Sequence, residues 1–174
     1  MLLYEDEVRR SQCGNNNAYC QDELSRMNWD LVRENRSLLT VFKYLIEFRR
    51  MHSCLRRGTF VPMPGNPLIQ MEWHGAKLGS PDWGWDSHSL ALHLCEFESH
   101  VIRDSIYLIS NAHWLPSQFE LPQIEGRSWA RFLDTSLEAP SDIAKPGFEA
   151  ILKDQKYYAV APRSTVVLVG GALK

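Results

Sequence analysis

No apolar run in this 174-residue chain approaches the roughly 18–20 residues that span a bilayer as a helix. The opening Met1-Leu2-Leu3-Tyr4 is too short for a signal-peptide core, and acid follows it rather than a small-residue cleavage site. There is no basic excess: 19 Lys and Arg face 21 Asp and Glu, a net charge of −2, with no basic stripe of the kind nucleic-acid binders carry. The four cysteines, Cys13, Cys20, Cys54 and Cys95, are far apart and form no CxxC pair. Reduced thiols in a reducing compartment are therefore expected in place of a disulfide framework. HExxH, GxSxG, Walker A and GxGxxG signatures are all missing, as are internal repeats and low-complexity tracts. The expectation is a soluble, cytoplasmic protein with no cofactor and neither a membrane nor a nucleic-acid partner.

What is present is ordinary globular chemistry with a surplus of one residue type. Hydrophobic residues make up 44% and charged residues 23%, which excludes a disordered or collagenous chain. A chain of this length buries roughly 70% of its unfolded surface, so it needs no metal or disulfide to own a core. Six tryptophans are more than its size calls for. Trp83 and Trp85 stand in a polar, Gly-containing stretch, where core packing is not the obvious use.

The chain reads as two unequal pieces. Residues 1–57 are polar loop and helix; residues 68–174 are short strands between turn clusters; residues 58–67, with three prolines and two glycines, are a connector. Leu38, Leu39, Val41, Phe42, Leu45, Ile46, Phe48, Met51 and Leu55 follow a period near 3.6 and predict a helix with a broad apolar stripe. Asn35 or Ser37 is placed to cap its start, and Arg49, Arg50, Arg56 and Arg57 favour its C-terminal end, with Gly58 as the stop. Strands are expected over 88–95, 104–113, 118–121, 127–134, 157–160 and 164–170, with Leu90, Leu92 and Leu94 forming one face of the first. Short strands at this spacing predict a mainly β chain built on an antiparallel sandwich.

Three constellations are candidates for chemistry. Gly14-Asn15-Asn16-Asn17-Ala18-Tyr19 is loop material whose amides both donate to and accept from vicinal sugar hydroxyls, with a tyrosine nearby to stack. The plainer reading is a solvated turn held by Asn side-chain-to-backbone bonds. Glu5 and Glu7, if extended, stand about 6.5–7 Å apart on one side, near the spacing glycoside hydrolysis requires. Solvation, or local pairing with Arg9 and Arg10, is again the plainer use. The six histidines (His52, His74, His88, His93, His100, His113) form no close cluster, so a zinc site would need long-range convergence.

The run from Asp6 to Asp22, Asp6-Glu7-Val8-Arg9-Arg10-Ser11-Gln12-Cys13-Gly14-Asn15-Asn16-Asn17-Ala18-Tyr19-Cys20-Gln21-Asp22, resembles isoamylase-type glycogen debranching enzymes of the alpha-amylase superfamily. The resemblance continues through Asn28-Trp29-Asp30-Leu31, Phe48-Arg49-Arg50-Met51-His52, Trp73-His74-Gly75, Pro81-Asp82-Trp83, Ser87 to Leu90, Asn111-Ala112-His113-Trp114, Asp134-Thr135 and Val160-Ala161-Pro162-Arg163-Ser164. It covers essentially the whole chain, in order.

The resemblance implies a place in a longer architecture, an N-terminal sandwich, a (β/α)8 barrel and a C-terminal sandwich. Residues 1–4 would be the eighth barrel strand, Glu5 to Asp30 the loop after it, Asn35 to Arg57 the eighth barrel helix, and 68–174 the sandwich. Loops at that end of a barrel flank the substrate. The family's catalytic carboxylates come from strands four, five and seven, outside this sequence, so hydrolysis of α-1,6 branch points is not expected of this chain alone. Asn15, Asn16, Asn17 and Tyr19 are the implied glucan contacts, with Arg10 weaker, and Trp83 and Trp85 as stacking platforms or sandwich padding. Glu5 departs from the family, which usually has glycine there, and Arg26 stands near a family tryptophan in a loop one residue shorter. The apolar helix face implies self-association or a barrel-containing partner. The readings left open are a structural C-terminal piece, a glucan-binding module, a subunit completing a separately encoded barrel, and a remnant without function.

Overall fold

The computed structural model describes residue 3, residues 5–56 and residues 69–172. The connector expected over 58–67 and the start of the strand expected at residues 1–4 lie outside them. The chain forms two compact units, Met1–Glu47 and Phe48–Lys174. No helix among the described residues is long and apolar enough to cross a membrane.

In the first unit a 310 turn, Asp6–Val8, leads through a loop to the short helices α1 (Asp22–Ser25) and α2 (Asp30–Glu34). The long helix α3 (Arg36–Met51) follows where the periodicity predicts a helix but ends short of Leu55, because His52 is extended and Ser53–Leu55 forms a separate 310 turn. Asn35 takes the N-cap position, its carbonyl accepting from Leu39 N–H at 3.0 Å. Its amide donates to the Val8 carbonyl at 3.0 Å and the Leu31 carbonyl at 3.3 Å. The amide thus ties the 310 turn at Asp6–Val8 to α2, whose Leu31 carbonyl also accepts from Asn35 N–H at 2.9 Å. Ser37 lies within the first turn of α3 and so is not its cap. Along α3, Leu38, Leu39, Val41 and Phe42 are half-buried, and Leu45 and Ile46 are exposed.

The second unit holds two antiparallel sheets. The larger has six strands in the order β1-β2-β3-β8-β5-β6, namely β1 (Ile69–His74), β2 (Ser89–Glu98), β3 (Val101–Asn111), β8 (Ser164–Ala172), β5 (Arg127–Asp134) and β6 (Ala150–Ile151). The smaller pairs β4 (Ser117–Glu120) with β7 (Tyr157–Val160). Ala91, Tyr107, Ile109, Trp129, Val166 and Leu168 of the large sheet form one buried cluster with Phe119 and Val160 of the small sheet and with Leu121 just after β4. This is the mainly β, sheet-on-sheet core expected of the chain.

Leu90, Leu92 and Leu94 share one face of β2, as the alternation predicts, while one strand boundary needs correction. The face of β2 in that core carries Ala91, His93 and Cys95, while Leu90, Leu92 and Leu94 point the other way and are half-buried. The opposite face is itself partly covered. Phe48 stacks on Phe132 with centroids 3.9 Å apart, His52 Nδ1 meets the Asp104 carboxylate at 2.8 Å, and Ser53 bonds to Glu96. A strand buried on both faces loses the polar–apolar contrast that sets its phase. The expected break after Cys95 is instead the continuation of a hairpin. Ser99 (φ 50°) and His100 (φ 67°) take left-handed conformations at its tip, a pair of positive φ angles usually marked by Asn-Gly. β1 and β6, which the strand pattern omits, complete the two edges.

Buried polar side chains fasten the sheets. Asn111 donates its amide hydrogens towards the carbonyls of Leu115 (3.0 Å), Ala161 (3.1 Å) and Val160 (3.4 Å), and its carbonyl oxygen accepts from His113 N–H at 3.2 Å. Across β8, at the end of β5, Asp134 accepts from Tyr158 O–H at 2.7 Å, Ser136 O–H at 2.6 Å and Ser136 N–H at 2.9 Å. Gly75 is fixed by space, since a Cβ there would collide with the Ser80 carbonyl oxygen. Asn111→Ala should lower unfolding free energy by about 2–3 kcal/mol, because buried carbonyls lose their donors. Asn111→Asp, nearly isosteric but without those donors, should be no better in urea denaturation; a neutral Asp variant would show that the amide is not the fastener.

Candidate functional site

The loop singled out for sugar contact is held by its own side chains. Asn15 Oδ1 accepts from Asn17 N–H at 2.9 Å, Asn17 Oδ1 accepts from Tyr19 N–H at 3.1 Å, and Asn15 Nδ2 donates to Gln21 Oε1 at 2.9 Å. Asn15 and Asn17 therefore shape the loop, while Asn16 is exposed and Tyr19 stands 82% exposed. Arg10 turns inward. Its Nε lies 2.9 Å from the Glu5 carboxylate and its Nη2 donates to the Leu24 carbonyl at 2.5 Å.

Glu5 and Glu7 are not an extended pair, because Asp6–Val8 is a 310 turn. Glu5 is 1% exposed and its φ is 68°, the left-handed conformation that suits glycine. Its contact with Arg10 is close but lies off a hydrogen-bond direction, so the attraction is coulombic. The local charge pairing read from the sequence is thus made by Arg10.

In the second unit Trp83 is 65% and Trp85 96% exposed. Trp83 meets Trp73 edge-on with centroids 5.6 Å apart, and it walls a groove of about 320 Å³ with Asp82, Ser87, His88, Leu90 and Ser110. Trp85 is not among the groove-lining residues. His88 lies 5.6 Å from Trp114 and 5.9 Å from His113, ring to ring, and Trp114 is exposed. Sequence reasoning passed over His88, Trp114 and Ser110 as functional residues. The signal was the hairpin itself: β2 and β3 must pair, so the start of one lies beside the end of the other, with Ala112 N–H donating to the His88 carbonyl at 2.7 Å.

Long-range convergence does bring histidines together. The strand register sets Glu72 opposite His93, and ligand atoms of Glu72, His74 and His93 lie within 4.8 Å of one another. Gly79 N–H donates to His74 Nδ1 at 2.8 Å, which puts the ring proton of neutral His74 on Nε2. That nitrogen then offers no lone pair to a metal; it is buried without an acceptor, with Glu72 3.8 Å away. His93 Nε2 lies 2.9 Å from Ser105 Oγ and 3.1 Å from Cys95 Sγ. Burial pushes the Cys95 thiol up, so it is no ready nucleophile. Cys54 is raised further, by burial and then by the Asp104 carboxylate. Burial raises Asp104 itself, but hydrogen bonding and charge from His52 outweigh this and hold its carboxyl below the usual range. Both groups belong to the clamp that fixes residues 52–54 on the sheet.

The comparisons with known proteins agree with this architecture. Residues 72–168 match the family described as isoamylase 1-3, C-terminal, and the chain belongs to the isoamylase family through that domain. It is 33% identical to an isoamylase of Flavobacterium sp over 97% of its own length and 23% of that protein. It is 31% identical to the chloroplastic isoamylase 1 of Oryza sativa subsp. japonica over 82% of its length and 17% of that protein. A glycogen operon protein GlgX homolog of Mycobacterium bovis is 32% identical over 78% of the chain and 21% of that protein. The chain thus spans about a fifth of the length of the curated relatives it matches. The solved pullulanase type I of Bacillus subtilis, complexed with maltose, shares the fold with a TM-score of 0.60 at 16% identity, over 95% of this chain and 20% of that one.

Two outcomes follow from these geometries. Burial, then the neighbouring His74, lowers His93 from 6.5 to about 4, so between those values the unfolded chain binds the proton first. Stability is full above pH 6.5 and falls as pH drops towards 4, by roughly 3 kcal/mol in all. His93→Gln should remove most of that slope from urea unfolding measured across the same window. At position 5, Gly and Ala variants both lose the carboxylate, so they differ only in backbone strain. Glu5→Ala should be less stable than Glu5→Gly by about 1 kcal/mol, read by denaturant unfolding.

Proposed function

We propose that this chain serves as the C-terminal β domain and last barrel loop and helix of a glycogen-debranching glycosidase. In this reading it contributes structure and glucan contact while another polypeptide region supplies the catalytic carboxylates. The observation that carries the reading is the face of α3 in the first unit. Leu45 and Ile46 are exposed, and a cleft lined by Leu3, Glu5, Leu39, Phe42 and Lys43 opens beside Ile46. An amphipathic helix with that much bare apolar surface fits a second protein body, and the family's other members are several times longer. The reaction of the whole would be hydrolysis of α-1,6 branch linkages with retention. A cytoplasmic location belongs to the same proposal; some plant relatives are named as chloroplastic.

A second reading, glucan binding without hydrolysis, is supported by the bare Trp83, Trp85 and Trp114. The purified chain should release no branches from glycogen or amylopectin above a mock preparation. It should form a stoichiometric complex with the barrel portion of a debranching enzyme, and Leu45→Asp with Ile46→Asp should abolish it. Branch hydrolysis by the chain alone, or a helix face that serves only to dimerise it in sedimentation velocity, would overturn the first reading.

A further inference from the structure

We propose that the groove between the 81–88 loop and the paired ends of β2 and β3 is a glucan-binding subsite, with Trp83 as the platform for a glucose ring. The proposal rests on the glucan-contact reading above and adds to it a place, a ligand class and a set of contacts.

Three properties of the groove select the ligand. The first is a braced aromatic plate. Trp73 supports Trp83 edge-on at 5.6 Å, yet 65% of Trp83 remains bare. A ring already fixed by a neighbour loses little freedom on binding, and its uncovered face matches the apolar C–H face of a pyranose. The second is acceptor chemistry. Gly84 N–H donates to Asp82 Oδ1 at 2.8 Å, and a Cβ on Gly84 would stand 3.0 Å from Asp82 Oδ1 and 3.1 Å from Asp86 Oδ1. The absence of a side chain at Gly84 therefore leaves room for the Asp82 and Asp86 carboxylates beside it, and Asp82 lines the groove. Ionised carboxylates only accept, so they suit vicinal hydroxyls and repel phosphate or carboxylate ligands. Ser110, opposite Leu90 in the strand register, adds a hydroxyl to the floor.

The third property is shape. At about 320 Å³ the groove is at the small end of ligand sites, which run from about 300 to 1,000 Å³, and it lies at the surface. It fits about one or two glucose units of a longer chain lying across it. His88 lines the groove and packs beside Trp114, so a chain that runs on past His88 reaches a second exposed ring.

The test is isothermal titration of the full chain with maltoheptaose, alongside intrinsic tryptophan fluorescence. Binding is expected near about millimolar affinity, as befits an open site. Trp83→Ala should weaken it at least about fivefold, and Trp83→Phe should restore most of the loss. Phe148→Ala, at an exposed ring that does not line the groove, should leave it unchanged. Ser110→Gln, which fills the groove from the floor, should abolish binding and serves if Trp83→Ala fails to fold by circular dichroism. If maltoheptaose binds and Trp83→Ala and Ser110→Gln bind it equally well, glucan contact stands and this groove is the wrong place. If the unmodified chain binds no maltoheptaose, the subsite and the glucan-contact reading fall together.

Discussion

The amide of Asn111 is the point on which the β domain hangs. It ends β3, and its side chain reaches the carbonyls of Leu115, before β4, and of Val160 and Ala161, at the close of β7. One side chain thus ties the large sheet to both strands of the small one. The apolar core between the sheets is non-directional and would tolerate sliding. Hydrogen bonds to a buried amide do not, since each displaced carbonyl would be left unpaired in a low-dielectric interior. Asp134 repeats the device from β5, at the same end of the sheet on the other side of β8, through Tyr158.

This fastening explains what the residues carrying the family resemblance are for. Asn111, Asp134, Gly75 and Ser164 all lie in that resemblance, and each is a buried polar or steric fixture. The architecture leaves the two faces of the large sheet with different duties. One is closed by the small sheet. The other is covered at one end by Phe48 and the residues after it, and at the opposite end it carries the Trp83 groove and a half-exposed Leu108. Binding surface is found where the packing stops.

Much of this was legible in the residues and some was not, for physical reasons. The 3.6 period located α3, and turn-bounded alternation located β5 and β7 at their observed limits. Alternation grouped the leucines of β2 on one face, but which face meets the core was not legible, because a strand covered on both sides has no polar phase to read. The hairpin tip at Ser99-His100 carries no glycine or asparagine, so nothing in its letters announced two left-handed residues. The candidate site divided the same way. The exposed Trp83 and Trp85 stood out by composition. The neighbours that turn Trp83 into a groove wall, Ser110 and His88, meet it only through strand register. The Asn-rich loop was recognisable as loop, but which of its amides serve its own backbone depends on φ and ψ angles that composition does not encode.

The two margins of the six-stranded sheet are unequal. β6 contributes only Ala150 and Ile151, too little backbone to template another strand, so that margin is blunt. At the other margin β1 presents six residues whose outer N–H and C=O groups no described strand pairs. The sheet is therefore directional: it can be lengthened by main-chain pairing at one side and is terminated at the other. Among the described residues, main-chain pairing by another chain is open at the β1 margin, where the exposed side chains are those of Gln70, Glu72 and Trp73.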